Sequence, residues 1–304
     1  MAKAIQSLVE DDAYDLVQVE SSPMAWFAAG RARLVIDEHN IEYELLQRMV
    51  RAERSPRRRL FNRLEFLKLR REEQLAWRRS DGTILTSERE AATVRRFDPT
   101  LPTAVVPNGV DTAYFVPGDR IEGGLQIVFT GALNYRPNVD AVLYFAQDIL
   151  PRVRKIVPGV HFTVVGGSAP PEITALRGPA VSVVGYVPDV RPYLRAASVV
   201  VAPLRMGSGT RLKIIEGLAM ARPVVSTSLG AEGLAVNHGQ HVLIADDPGE
   251  FAEQVGRLLA DGALRVALGR EGRSLVEREY SWETAGERLE AFYTKLSGGA
   301  RRVA

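Results

Sequence analysis

The chain has 304 residues, 46% hydrophobic and 25% charged, so it is long enough for two globular domains of ordinary size. It contains no cysteine, which excludes disulfides, thiolate metal ligands and cysteine nucleophiles, and its net charge of +2 indicates no particular class of partner. The first residues lack the apolar run of a secretion signal, and no stretch reaches the roughly 18 apolar residues of a membrane span. We therefore expect a cytoplasmic protein.

The first part of the chain alternates short β-branched runs with longer helical patterns. A helix is predicted over 2–10, and a Gly- and Pro-rich stretch at 117–124 is the best linker candidate. Strands are predicted at 15–19, 33–37, 83–86 and 103–106, and helices over 41–79, with a break near Pro56, and over 88–97.

A second alternating series begins at Gln126. Because strands that alternate with helices form parallel sheets covered on both faces, the sequence predicts an α/β fold with ligands at the carboxyl ends of the strands. Helices are expected between the strands and, at the end of the chain, over 248–260 and 281–296. The predicted strands are 126–130, 160–165, 181–184, 198–202, 223–226 and 241–244.

A glycine turn leading into a helix carries the strongest chemical signal. A buried strand ends near Pro203, the turn Gly207-Ser-Gly-Thr follows, and a helix is predicted from about Thr210. Glycines at a helix N-terminus let backbone amides approach an anion, and the helix dipole favours negative charge there. Arg211 and Lys213 can add full charges to the same anion. Glu216, one turn further on, is suited to accept hydrogen bonds from the two hydroxyls of a ribose.

The same residues have a plainer interpretation. Arg211 and Lys213 can form a solvated helix face, with Glu216 as an i+3 ion-pair partner. From this block alone, both interpretations stay open.

A second polar site is indicated near the start of the chain. His39 lies in Asp37-Glu-His-Asn-Ile-Glu42, directly after a predicted strand. A histidine at this end of a strand can hydrogen-bond a sugar hydroxyl or a phosphate, because its pKa lies near neutrality. The alternative is a helix-capping segment with an incidental histidine.

Taken in order, these blocks resemble the family-4 glycosyltransferases, a retaining group of the group 1 type with the GT-B fold. The resemblance assigns the diphosphate of a nucleotide sugar to Arg211 and Lys213, and its ribose to Glu216. Ser208 stands where the family usually has a first Glu, and the form Gly207-Ser-Gly-Thr-Arg-x-Lys213 resembles a subgroup that places its cations here. Ser208, Gly209 and Thr210 are therefore expected donor-binding residues.

Further blocks match the family in the same order along the chain. The resemblance implies that Gly131 lets the backbone approach the diphosphate, that Tyr186 and Val187 flank the nucleobase, and that Glu232 lies in a loop closing over the donor. It also makes His39 the site residue of the N-terminal domain. A structural turn glycine and a surface glutamate are the alternatives for Gly131 and Glu232.

The resemblance also implies a domain organisation. We expect a partial, acceptor-side Rossmann-like domain over 1–118, a donor-binding Rossmann-like domain over 119–280, and a helix over 281–304 that crosses back to the first domain. Members usually begin with about a hundred further residues of sheet and helix, so the N-terminal domain is expected to be incomplete.

The implied activity is transfer of a sugar from a nucleotide diphosphate sugar to an acceptor hydroxyl, with retention and without a metal or other cofactor. Cell-surface polysaccharide or glycolipid synthesis is the expected setting. Two other classes stay open: a nucleotide-sugar-binding subunit or fragment that needs a partner, and a nucleotide-sugar epimerase on the same fold.

Residues 48–79 are strongly basic, with twelve Arg or Lys against four Glu. Leucines and phenylalanines lie among these cations, a pattern typical of a basic amphipathic helix on an anionic membrane surface, where a lipid-linked acceptor would be found. A solvated helix face is the alternative, and no nucleic-acid-binding module accompanies the charge.

Overall fold

The computed structural model describes residues 4–5, 7–8, 14–27, 32–52, 55–118, 124–207 and 211–298. They form two compact units. The first contains the described residues up to Pro107 together with those from Ala285 onward, and the second contains 108–207 and 211–284. Residues 4, 5, 7 and 8 are helical, and the rest of the helix predicted over 2–10 lies outside the described residues.

The first unit is built on a parallel four-stranded sheet with the order β1-β2-β3-β4. A 3₁₀ turn follows the first strand at Ser22–Trp26. The strands are β1 (Leu16–Val19), β2 (Arg33–Glu38), β3 (Gly82–Leu85) and β4 (Thr103–Val105), and the helices are α1 (Glu42–Ala52), α2 (Pro56–Arg79) and α3 (Glu88–Phe97).

Alternation along β2 and β3 divides the core of this unit between the two faces of its sheet. Val35 and Ile84 face the C-terminal helix, where they pack against Phe292 and Leu296. Ile36 and Leu85 face the other way and pack in a cluster around Trp77 of α2. Because both faces are covered, β2 and β3 carry apolar residues on both sides of the sheet.

The second unit contains a parallel six-stranded sheet with the order β10-β9-β8-β5-β6-β7. The order reverses at β5, which lies between β8 and β6, and such a switch point opens a crevice at the carboxyl ends of the strands. Its strands are β5 (Gln126–Thr130), β6 (His161–Val165), β7 (Val181–Gly185), β8 (Val199–Ala202), β9 (Val224–Ser226) and β10 (Leu243–Ile244).

Helices cover both faces of this sheet. The first of them continues through a π turn at Phe145–Ile149, and Phe145 packs on Phe162 of β6 with ring centroids 4.5 Å apart. The helices of this unit are α4 (Arg136–Tyr144), α5 (Leu150–Ile156), α6 (Pro171–Thr174), α7 (Arg191–Ala196), α8 (Leu212–Ala219), α9 (Pro248–Ala260) and α10 (Gly262–Glu279). The C-terminal helix α11 (Trp282–Gly298) belongs to the first unit from Ala285 onward. The predicted α/β class with parallel sheets is thus confirmed.

Helix α10 is the largest element that the sequence analysis did not predict. Gly262, Gly269 and Gly272 lower its intrinsic helix propensity and interrupt its apolar pattern. Two of these glycines are there for packing: a Cβ on Gly269 would lie 2.2 Å from the carbonyl oxygen of Ala221, and one on Gly272 would lie 2.5 Å from Leu218. Tertiary contact with the end of α8 therefore overrides local propensity.

Two buried carboxyl groups lie beneath α1 in the first unit. Glu73 accepts hydrogen bonds from the backbone amides of Glu42 and Tyr43, at 2.9 and 3.2 Å, and so caps α1. Glu38 accepts from the Trp77 indole at 2.9 Å and from the Ser22 hydroxyl. Burial raises the pKa of Glu73 to about 8 and that of Glu38 to about 7.

Within the described residues, no helix has both the length and the hydrophobicity that crossing a membrane requires.

Candidate functional site

The loops that follow β5 and β8 meet at the switch point of the second unit. The Lys213 ammonium donates a hydrogen bond of 2.5 Å to the side-chain oxygen of Asn138, at the start of α4. A Cβ on Gly131 would lie 2.8 Å from Asn138 Nδ2 and 3.1 Å from Lys213 Nζ. A Cβ on Gly207 would lie 3.2 Å from the Arg211 guanidinium. We call these five residues (Gly131, Asn138, Gly207, Arg211 and Lys213) the cradle.

The backbone of the cradle depends on glycine. Gly131 has φ +149° and Gly207 has φ +107°, conformations that residues with a Cβ rarely adopt. On the β6 side, a Cβ on Gly166 would lie 1.9 Å from the carbonyl oxygen of Gly131. These close approaches leave backbone groups, rather than side chains, on the floor of the crevice.

The cradle is cationic and partly desolvated. Arg211 is 7% exposed at the N-cap of α8, and Lys213 is half-buried in the first turn. Burial, and then the neighbouring Arg211 charge, lowers the pKa of Lys213 to about 7. Among the described residues, Lys213 forms no ion pair, and its ammonium lies 4.5 Å from the centre of the Phe129 ring. Two crowded cations at a helix N-terminus favour a bound anion.

Glu216 lies one turn beyond Lys213 and is half-buried. Burial raises its pKa, against the opposing effect of the Lys213 charge. Because Lys213 hydrogen-bonds Asn138 and Arg211 is buried, the two cations do not form the solvated face of the plainer interpretation. Within the described part of the chain the Glu216 carboxyl has no hydrogen-bond or ion-pair partner.

Tyr186 and Val187 follow β7 after Gly185, which has φ +94°. Tyr186 is 81% exposed, and it lies against Gly167, where an added Cβ would be 3.3 Å from its own Cβ. Gly167 in turn accepts a hydrogen bond from the Leu133 amide in the loop after β5, at 2.9 Å. Val187 is half-buried and packs against the hydrophobic core. Tyr186 is therefore the one of this pair available to a ligand.

The loop that contains Glu232 is anchored to the ends of β8 and β9. Thr227 Oγ1 donates a hydrogen bond of 2.5 Å to the Leu204 carbonyl and accepts one of 3.0 Å from the Gly230 amide. Glu232 itself is half-buried. Ser208, Gly209 and Thr210 lie outside the described residues.

His39 belongs to the first unit, whereas the cradle belongs to the second. It is exposed at the end of β2, and its Nε2 lies 3.0 Å from a carboxylate oxygen of Glu20, which follows β1. Gln18 donates hydrogen bonds to Glu20 and to Asp37, at 3.0 and 3.1 Å. The histidine is thus part of a polar cluster at the carboxyl ends of β1 and β2.

Sequence reasoning missed Asn138. Its side chain accepts from Lys213 and donates a hydrogen bond of 2.8 Å to the Ala132 carbonyl, so it links the two halves of the cradle. The available signal was a polar residue in the first turn of α4, directly after the glycine turn. Among the described residues, no three His, Asp or Glu side chains are grouped so that they could hold a metal ion.

Comparison with known families agrees with this geometry. Residues 124–261 match the family described as Glycosyl transferases group 1, and residues 1–114 match Glycosyltransferase Family 4. The chain belongs to the group 1 glycosyltransferases. The predicted family is thereby confirmed.

Curated relatives of this group 1 glycosyltransferase include the lipopolysaccharide core biosynthesis mannosyltransferase LpcC of Rhizobium leguminosarum bv. viciae. It is 25% identical over 242 residues, which are 74% of this chain and 67% of the relative. The phosphatidyl-myo-inositol mannosyltransferase of Mycobacterium tuberculosis (strain H37Rv) is 26% identical over 216 residues, 65% of this chain and 55% of the relative. The chain thus spans between half and two thirds of these relatives.

Solved structures show the same fold. Alr3699/HepE from Anabaena, in complex with UDP, matches 97% of this chain and 81% of its own, with a TM-score of 0.72 at 17% identity. The fold of this glycosyltransferase is therefore GT-B, as predicted.

Proposed function

We propose that this chain transfers a sugar from a nucleoside diphosphate sugar to an acceptor hydroxyl, with retention of anomeric configuration. One observation carries the proposal: the glycine loop after β5 and the cationic turn before α8 converge on a single partly buried point, where Lys213 lies beside Gly131. A site with two cations, a helix N-terminus and an exposed glycine backbone suits a diphosphate.

In this proposal the cradle binds the diphosphate, and Glu216 binds the ribose hydroxyls. The base lies toward Tyr186, which is exposed on the β7 side of the crevice. Val187, Glu232 and the turn residues Ser208, Gly209 and Thr210 complete the donor-binding set.

The chemistry follows from where charge develops. When the bond between the sugar C1 and the diphosphate oxygen breaks, negative charge accumulates on the leaving diphosphate. Arg211, Lys213 and the α8 N-terminus stabilise that charge, so the proposed reaction needs no metal ion. The acceptor oxygen then bonds to C1 on the face that the diphosphate leaves, and its proton passes to a phosphate oxygen. His39 is assigned a hydrogen bond to a sugar hydroxyl or phosphate.

The names of the relatives support a cell-surface acceptor. One relative is described as acting in lipopolysaccharide core biosynthesis and another as a phosphatidyl-myo-inositol mannosyltransferase. We therefore propose a lipid-linked or polysaccharide acceptor and a cytoplasmic enzyme working peripherally at the inner face of the membrane.

Ligand-induced thermal stabilisation tests donor binding first. A ligand present at 100 times its Kd stabilises a protein by about 2.7 kcal/mol, so UDP, GDP and their sugar conjugates should raise Tm by several degrees if they bind. Lys213→Met tests the site. Methionine has nearly the length of lysine and carries no charge. Without ligand, the Tm of the variant should therefore match that of the parent, whereas most of the ligand-induced shift in Tm should be lost. Lys155→Met, at an exposed position on α5, is the matched control.

Transfer is tested with the ligand that binds, by product analysis with lipid-linked and polysaccharide acceptors. Formation of an α-linked product from an α-linked donor supports retention. Binding without transfer would assign the chain to a donor-binding subunit, and release of an epimerised nucleotide sugar would assign it to an epimerase. If no nucleoside diphosphate stabilises the protein, or if Lys213→Met responds like the parent, the proposal is wrong.

A further inference from the structure

Helix α2 exposes four large apolar side chains in a row. Leu60, Phe61, Leu64 and Leu67 are 61, 63, 58 and 52% exposed. Their spacing places them on one face of the helix, opposite the face on which Trp77 is buried in the core. We call these four residues the outer row. A contiguous apolar row on the surface of a described helix needs a partner.

The outer row is surrounded by cations. Residues 56–71 contain seven Arg or Lys and one Glu, a net charge of +6. All seven are exposed, and none forms an ion pair with a described residue. Arg57, Lys68 and Arg71 share the face of the outer row, because they lie three or four residues from its members.

The outer row and its flanking cations together indicate which class of partner binds this face. A second copy of the same face would place its three cations against the three of the first copy, which like-charge repulsion opposes. An acidic protein would match the charge, but charge pairing alone does not account for one phenylalanine and three leucines exposed along the same helix face. An anionic bilayer satisfies both features at once, since headgroups attract the cations while the acyl boundary takes the apolar side chains.

We propose that α2 docks on an anionic phospholipid surface, with the outer row inserted at the acyl boundary and its flanking arginines and lysine at the headgroups. This extends the proposed function by naming the surface through which the enzyme reaches the membrane. It does not depend on the cradle, because vesicle binding requires neither a donor nor transfer.

Vesicle flotation with the full chain tests the proposal. We expect binding to vesicles that contain phosphatidylcholine and phosphatidylglycerol in a 3:1 ratio, and little binding to vesicles of phosphatidylcholine alone. Each cation near an anionic surface contributes about a fivefold effect, so Arg57→Gln with Arg71→Gln should weaken binding about 30-fold. Phe61→Ser with Leu64→Ser should weaken it at least tenfold, with the charge unchanged.

The control replaces two exposed cations elsewhere. Arg154→Gln with Lys155→Gln on α5 removes the same charge from the second unit and should leave vesicle binding within twofold. Circular dichroism and Tm show that each variant is folded. Equal loss in the control would mean that only net charge matters, and parent-like binding of the Phe61 and Leu64 variant would exclude insertion of the row. Either result would overturn the proposal. Concentration-dependent dimerisation of the parent chain, if the same substitutions abolish it, would overturn the proposal too. UDP-induced stabilisation of the same variants, measured without vesicles, reports on the cradle separately.

Discussion

Lys213 donates a 2.5 Å hydrogen bond to Asn138, a residue 75 positions earlier in the chain. The other end of the same amide donates to the Ala132 carbonyl in the loop after β5. One side chain therefore sets the position of the Lys213 ammonium relative to the Gly131 backbone. Asn138 is a positioning residue in this arrangement, and it acts through Lys213.

Replacing Asn138 with Ala should weaken nucleoside diphosphate binding. Hydrogen bonds to charged groups are worth about 1.5–3 kcal/mol, so we expect at least a tenfold rise in Kd and in the donor KM, with a smaller change in kcat. Isothermal titration calorimetry with UDP or GDP gives the Kd. Asn134→Ala, at an exposed position in the same loop, is the control and should bind like the parent. Equal affinities of both variants would remove Asn138 from the site.

Affinity for a nucleoside diphosphate should fall as pH rises above 7. The pKa of Lys213 is lowered to about 7 in the free protein, and a bound diphosphate raises it by stabilising the ammonium. Binding above pH 7 therefore takes up a proton, and Kd should rise toward tenfold per pH unit between pH 7 and 9.

Calorimetry in buffers of different ionisation enthalpy measures this proton uptake directly. Lys213→Met should bind weakly and with a flatter pH profile over the same range. A parent protein whose Kd is constant from pH 7 to 9 would contradict the assignment of Lys213 to the diphosphate.

Glu38 should make the first unit less stable at alkaline pH. Its pKa is raised from 4.5 to about 7 in the folded chain, so the folded state binds more protons than the unfolded state between these values. The stabilising contribution is complete below pH 4.5 and is lost as pH rises through 7, and it amounts to on the order of 3 kcal/mol. Glu38→Gln keeps an oxygen for Ser22 and Trp77 but cannot ionise.

Urea unfolding monitored by tryptophan fluorescence measures this effect. Glu38→Gln should have a flatter profile between pH 5 and 8 and exceed the parent in stability at pH 8. Identical profiles would show that Glu38 ionises without cost in the folded protein.

Gly269→Ala should destabilise the second unit although alanine is the better helix former. Alanine gains about 1 kcal/mol in helix propensity, but its Cβ would lie 2.2 Å from the Ala221 carbonyl, so we expect a net loss of about 2 kcal/mol. Gly286→Ala in α11 meets nothing within 4 Å and should stabilise by about 0.5–1 kcal/mol. Denaturant unfolding compares the two, and a stabilising Gly269→Ala would exclude the packing role.

Much of this fold could be read from short-range patterns in the chain. Apolar β-branched runs such as 126–130 and 199–202 predict strands buried on both faces, and the helices between them require parallel pairing. The turn from Gly207 to Lys213 predicts an anion site because glycines at a helix start expose backbone amides and nearby cations add positive charge. These features are encoded within ten residues or so, which is why they were predictable.

The remaining features depend on contacts between distant parts of the chain. Asn138 meets Lys213 only because strand order places β5 beside β8, and no local pattern encodes that order. Glycine is required at position 269 of α10 only because the Ala221 carbonyl packs where a Cβ would lie. The pKa of Glu38 is raised because folding buries this carboxyl beside Trp77. The sequence by itself determined the alternating elements and the residue types of the site. The tertiary structure decided which of those residues meet and how far each is removed from water, because proximity and desolvation arise only once the sheets are packed.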